Sequence, residues 1–136
     1  MMFKVYVAGL YVENPSHDAA AVIAADAVKR IELSILRKLA GSQISDAIAE
    51  GFERNSKAQM PALQARLDKL KTLIPDVDKG DSIALTYVPG KGTVVSAGTS
   101  EKGVIEGKDF SDALLSVWLG PNPVQEDLKK KLLGGS

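Results

Sequence analysis

Residues 79–133, KGDSIALTYVPGKGTVVSAGTSEKGVIEGKDFSDALLSVWLGPNPVQEDLKKKLL, run three strand-like segments into two helices. Ser82 to Val88 turns through Pro89-Gly90-Lys91-Gly92 into Thr93 to Ala97, with turn residues of the kinds a hairpin requires. Gly98-Thr99-Ser100-Glu101 turns again into Gly103 to Glu106, which completes a three-strand meander. Asp109 is placed to cap a helix from Phe110 to Leu119, where Phe110, Ala113, Leu114, Val117 and Trp118 form the apolar face and Gly120 the stop. The last helix carries Asn122 as cap, Pro123 in its first position, Glu126 and Asp127 early, and Lys129, Lys130 and Lys131 late, a charge order that complements the helix dipole.

Upstream, Phe3 to Val12 (FKVYVAGLYV) reads as a strand apolar on both faces and therefore substantially buried, with Gly9 marking a bulge or a close neighbour. Asn14-Pro15-Ser16 breaks it, and Ser16 is placed to cap an Ala-rich helix from His17 to Ala27. In Arg30 to Leu36 the residues Ile31, Leu33 and Ile35 alternate with Arg30, Glu32 and Ser34, so one face should be wet. A helix over Gln43 to Arg54 presents Ile44, Ala47, Ile48 and Gly51 at inward spacing. Gly51 is a poor helix former, so a close packing partner is expected there. Gln59 to Leu73 follows as a structural helix with Leu63, Leu67, Leu70 and Ile74 on one stripe.

At 136 residues the chain is read as one domain, 1–136, with Gly134 to Ser136 as a helix stop or linker remnant. Lys plus Arg and Asp plus Glu both number 17, and the absence of a basic face argues against nucleic acid as a partner. With no cysteine there is no disulfide framework, thiolate nucleophile or Cys-based metal site. No run approaches the ~18 apolar residues of a spanning helix, and no leader pattern precedes the first strand. The expectation is a soluble protein, cytoplasmic as written and periplasmic if a leader has been removed.

Groups for catalysis are few. His17 is the only histidine, beside Asp18 at a helix start, where a solvated polar position is the ordinary explanation and a histidine metal cluster is impossible. Glu106 with Asp109, and Glu126 with Asp127, fit capping better than acid–base work. Pro89-Gly90-Lys91-Gly92 joins two strands and lacks phosphate-loop spacing, while Gly103 to Gly107 is too short for a dinucleotide fingerprint. Lys129 to Lys131 reads as a helix C-terminus, and Trp118 as core or pocket wall.

The order KGD, PGKG, WLG in residues 79–120, with KVYVAGLYVE (Lys4 to Glu13) and GSQISDAIAEG (Gly41 to Gly51), resembles the chalcone isomerase-like family, especially its bacterial branch. The resemblance spans Phe3 to Leu133. It implies an α+β fold, an open-faced β-sandwich in which an antiparallel β-sheet is covered on one face by helices, with a cleft between the layers. Family enzymes close a chalcone into a flavanone there, whereas plastid relatives bind fatty acids. The strand Lys4 to Glu13 is similar to the family's central strand, and relatives place a further strand or hairpin, bearing the catalytic arginine, before it. Only Met1, Met2 and Phe3 stand there in this chain, so an exposed sheet edge and a homodimer through it are expected.

Carried across position by position, the enzyme's threonine falls at Tyr6, its tyrosine, lysine and asparagine at Ile44, Ala47 and Gly51, and a later polar residue at Val117. None is retained. A phenolate attack needs a cation for the nucleophile and a donor for the enone oxygen, and these substitutions leave an apolar lining. The leading expectation is therefore a non-catalytic protein, without cofactor or metal, binding a small hydrophobic or fatty-acid-like molecule between Tyr6, Ile44, Ala47, Ile48, Gly51, Val117 and Trp118. Two alternatives stand beside it: an isomerase or intramolecular lyase built around Tyr6 or Tyr11, and a ligand-free scaffold, including a shortened version of the fold.

Overall fold

The computed structural model describes residues 5–134. In chain order these form β1 (Tyr6–Val12), α1 (Ala19–Ala24), β2 (Lys29–Ile35), α2 (Gly41–Ser56), a 3₁₀ turn (Lys57–Gln59), α3 (Met60–Leu73), β3 (Ser82–Val88), β4 (Gly92–Ala97), β5 (Ser100–Ile105), α4 (Lys108–Leu119) and α5 (Glu126–Leu132). The expected strand residues Phe3 and Lys4, and tail residues Gly135 and Ser136, lie outside the described part.

The strands make one antiparallel sheet in the order β1-β2-β3-β4-β5, covered on one face by helices. Register sorts the side chains into rows across the covered face. Ala8, Leu33, Ile83 and Ala97 form one row, Leu10, Ile31, Leu85, Val95 and Gly103 the next, and Val12, Lys29, Tyr87, Thr93 and Ile105 the last. Arg30, Glu32 and Ser34 face the other way, as the alternation in β2 requires. The covered rows join Phe52, Leu63, Leu67, Leu70, Phe110 and Trp118 from the helices in one hydrophobic cluster. Phe52 and Phe110 bring α2 to α4 with ring centroids 5.3 Å apart.

Several expectations are corrected. Among the described residues β1 is an edge strand and not a buried central one: Val7 and Tyr11 lie on the open face, 50% and 57% exposed. The first helix is only Ala19–Ala24, capped by Asp18, whose carboxylate accepts from Ala20 N, while Ser16 Oγ accepts from Asp18 N. Asp109 does not cap α4. It lies in the first turn and pairs with Arg66 at 2.7 Å, and Gly107, at φ +97°, is the residue before the helix.

α5 likewise begins at Glu126 after Gln125, not at Pro123. Asn122 is engaged elsewhere: its N–H donates to Asn55 Oδ1, its carbonyl accepts from Asn55 Nδ2, and its own amide donates to Arg54 O. That exchange ties the link after α4 to the end of α2, so Pro123 and Val124 cannot join the helix. β5 starts inside the expected turn at Ser100, with a bulge opposite Val95 and Ser96.

Candidate functional site

Between β1, α2 and the end of α4 lies a cavity of about 170 Å³. Tyr6 projects into it because β1 pairs Tyr6 with Ile35, on the covered side of the sheet. Ile44, Ala47 and Ile48 reach it from one face of α2 by their i, i+3, i+4 spacing, and Val117 and Trp118 from the last turn of α4. Leu33, Leu39, Val5, Gln43 and Val124 complete the wall. Leu39 is held by paired hydrogen bonds with Val77, 2.9 Å in each direction.

Six of the seven expected lining residues thus meet at one place. Gly51 does not line it: a Cβ there would stand 2.6 Å from Val117 Cγ2, so the residue lets α2 and α4 approach closely. Leu33 and Leu39 carried no signal separating pocket wall from core. Val124 was hidden by its apparent membership of the last helix. Val124 N–H in fact donates to Val117 O at 2.8 Å, which folds the link back over the mouth.

The polar atoms of the wall are partly committed. Trp118 Nε1 donates to Tyr6 Oη at 3.1 Å, and Gln43 Oε1 accepts from Ala40 N at 2.8 Å, closing the start of α2. Burial pushes the Tyr6 phenol above its ordinary value, opposed by the Trp118 hydrogen bond. At neutral pH Tyr6 is therefore a neutral donor and not a base. His17 and Tyr11 stand outside the lining, Tyr11 on the opposite face of the sheet, and no set of His, Asp or Glu among the described residues is grouped to hold a metal.

A polar cluster occupies the other end of the same interlayer space. Lys29, 1% exposed, donates from Nζ to Ile23 O at 2.8 Å and lies 5.2 Å from the Tyr87 ring centroid. Lys108 Nζ approaches the same carbonyl at 3.5 Å while pairing with Asp112 at 2.9 Å. Tyr87 Oη donates to Asp26, and the Thr93 hydroxyl is buried without a hydrogen-bond partner. Burial, then Lys108, lowers the Lys29 pKa against the pull of Asp112 and Asp26. The shallow pocket that touches Lys29, between Val12, Glu13, Val22 and Val28, has no room for even a water-sized guest.

A larger groove of about 450 Å³ runs between the end of α2, the start of α3 and α4. It includes Asn55, Ser56, Asp109 and Asp112, and both carboxylates are already in ion pairs. Its wall mixes these polar groups with Ala58, Pro61, Ala62, Leu63 and Ala113.

The family model described as chalcone isomerase-like matches residues 1–134. The chain belongs to the chalcone isomerase-like family. No curated protein matches it. Among solved structures, this chalcone isomerase-like chain is similar to a fatty-acid binding protein of Arabidopsis thaliana, with a TM-score of 0.73 and 16% identity, covering 95% of this chain and 76% of that one. The likeness is one of fold: the antiparallel sheet with its helical layer. No helix among the described residues is long and apolar enough to cross a membrane.

Proposed function

We propose that this chain binds a small apolar molecule, or the hydrocarbon end of a single-chain amphiphile such as a fatty acid, in the cavity between β1, α2 and α4, and does not catalyse a reaction there. The carrying observation is the wall itself. Ile44, Ala47, Ile48 and Val117 present carbon, the Tyr6 hydroxyl is engaged by Trp118, and no titratable group in the lining is poised as a base. The fatty-acid binding activity in the name of the Arabidopsis protein supports the same reading.

Size narrows the occupant. At about 170 Å³ the cavity is close to the ~150 Å³ apolar cavities that stay dry and take up benzene, and below the roughly 300–1,000 Å³ of sites enclosing drug-sized ligands. It encloses a ring or a short acyl segment, and a longer chain must leave through the mouth beside Gln43 and Val124.

Isothermal titration with carboxylates from butanoate to hexadecanoate tests this. Affinity is expected to rise with each methylene until the cavity is full and then to level off, because only enclosed carbon leaves water. Ala47→Phe, at a partly open wall position, should reduce affinity at least about tenfold by filling the space. Absence of saturable binding across the series, or unchanged binding by Ala47→Phe, defeats the proposal. Cyclisation of a chalcone well above the uncatalysed rate would defeat its non-catalytic part.

A further inference from the structure

A helix packs beside each edge of the sheet, α3 by β5 and α5 by β1, but among the described residues only α3 sends side chains to the backbone of its edge. Along β5, Lys69 Nζ donates to Val104 O at 2.8 Å and Arg66 Nη1 to Glu106 O at 3.1 Å, so side chains of α3 occupy carbonyls on and just beyond the edge. The Leu73 side chain lies against Gly103, a bulge interrupts the ladder, and Glu101 and Lys102 are exposed charges. Coverage, bulging and charge are the usual ways an edge is protected from pairing with another chain. β1 (YVAGLYV) has no charge, no proline and no bulge over its 7 residues, and its two outward side chains, Val7 and Tyr11, are the most exposed large hydrophobic residues described.

The direction of the free backbone groups follows from the ends of the β1–β2 ladder. Leu36 N donates to Val5 O and Glu13 N to Val28 O, so odd-numbered residues of β1 exchange hydrogen bonds with β2. Alternation then turns the N–H and C=O groups of Tyr6, Ala8, Leu10 and Val12 outward, where no strand among the described residues meets them.

We infer that β1 pairs antiparallel with β1 of a second copy of this chain, about a twofold axis at Gly9. Setting Gly9 opposite Gly9 places Tyr6 opposite Val12, Ala8 opposite Leu10 and Val7 opposite Tyr11. Even-numbered residues then meet only even-numbered ones, and every outward group in the strand is hydrogen-bonded. A slip of one residue sets outward-facing groups against inward-facing ones and forfeits that match.

The remaining positions suit the same register. Val7 and Tyr11 fall at non-hydrogen-bonded positions, where facing Cα atoms approach to about 4.5 Å and a β-branched residue packs on an aromatic ring. At the axis, Gly9 brings no side chain, and the Tyr11 ring already leans over it: a Cβ there would lie 3.2 Å from that ring. The two sheets become one. A single strand pair buries less than the roughly 1,200 Å² of standard interfaces, so association is reversible and visible only at micromolar concentrations and above.

The chain has no cysteine, which allows a clean test. Under mild oxidation, full-length Gly9→Cys should form a covalent dimer at least about tenfold faster than Ser100→Cys at the opposite edge, because facing non-hydrogen-bonded residues lie within disulfide reach. By sedimentation, the unmodified protein should shift from monomer towards dimer mass as concentration rises. Val7→Lys/Tyr11→Lys should stay monomeric, whereas Val7→Lys/Tyr11→Glu, which sets Lys opposite Glu in this register, should dimerise again. A constant monomer mass, equal cross-linking at both edges, or identical behaviour of the two charged pairs overturns the inference. Ligand titration of the monomeric variant is independent of it.

Discussion

α4 spans both ends of the interlayer space, and the sheet beneath it changes character along its length. At its start, Lys108 joins Lys29, Tyr87, Asp26 and Asp112 in a filled polar cluster. At its end, Val117 and Trp118 wall an apolar cavity. The helix is 12 residues, about 18 Å, so two environments of opposite kind lie within one small core. The difference shows what each kind of row does. A buried lysine is tolerated only where carbonyls and carboxylates converge on it, and such convergence leaves no room for a guest. Aliphatic side chains at the other end make no demands on their neighbours, so a gap between them can persist and accept one.

Moving the charge from one end to the other should produce the largest effect. Leu33→Lys places an ammonium in the apolar row beside the cavity, with no acceptor waiting, and should cost on the order of 3–5 kcal/mol in urea unfolding. The reverse change, Lys29→Met, should cost less than about 1 kcal/mol, since Lys108 remains to serve the Ile23 carbonyl and a desolvated charge is removed. Equal losses for the two substitutions would show that the polar end is no better prepared for a lysine than the apolar end.

Gly51 tests how the cavity end is held. Its contact with Val117 sets the separation of α2 from α4, so Gly51→Ala should destabilise by about 1–3 kcal/mol through overpacking, more than it gains in helix propensity. Adding Val117→Ala should return part of that loss, because the two sites share one contact. Strict additivity in thermal or urea unfolding would mean that the close approach is not limiting.

Much of this architecture was legible in the sequence, and the failures have physical causes. Alternation in Arg30 to Leu36 and the Gly-rich turns of residues 89–92 predicted β2 and the β3–β4 hairpin closely, because strand period and turn chemistry are local. The spacing of Ile44, Ala47 and Ile48 marked the inward face of α2 for the same reason, whereas only the family resemblance pointed to a cleft beside it. β1 was misread because a strand without charges looks buried whether its outer side meets core or solvent. The start of α5 was misread because Asn122 has the right chemistry for a cap but is bound to Asn55, 67 residues away. Lys29 was passed over entirely. Its burial depends on Ile23, Tyr87 and Lys108 arriving from three other segments, and nothing in the local pattern announces that.

The smallest expected effect comes from titrating the polar end. The hydrogen bond to Asp26, then burial, pushes the Tyr87 phenol up to about 12, whereas an unfolded tyrosine titrates near 10. A pKa raised on folding means that the unfolded chain loses its proton first. This contribution to stability is thus complete below pH 10 and disappears as pH climbs towards 12. Lys29 acts in the opposite sense: its pKa is lowered on folding, so its contribution improves as pH rises towards the ordinary lysine value near 10.5. Stability should therefore climb gently on the alkaline side and fall beyond pH 10. Tyr87→Phe should flatten the fall by about 1–2 kcal/mol, less than the full shift because Asp26 is exposed and screened. Tyr6, raised mainly by burial at the apolar end, leaves a residual decline that Tyr87→Phe does not touch. Urea midpoints measured from pH 8 to 12 separate the two ends, and a fall unaltered by Tyr87→Phe would assign the alkaline loss to the cavity side alone.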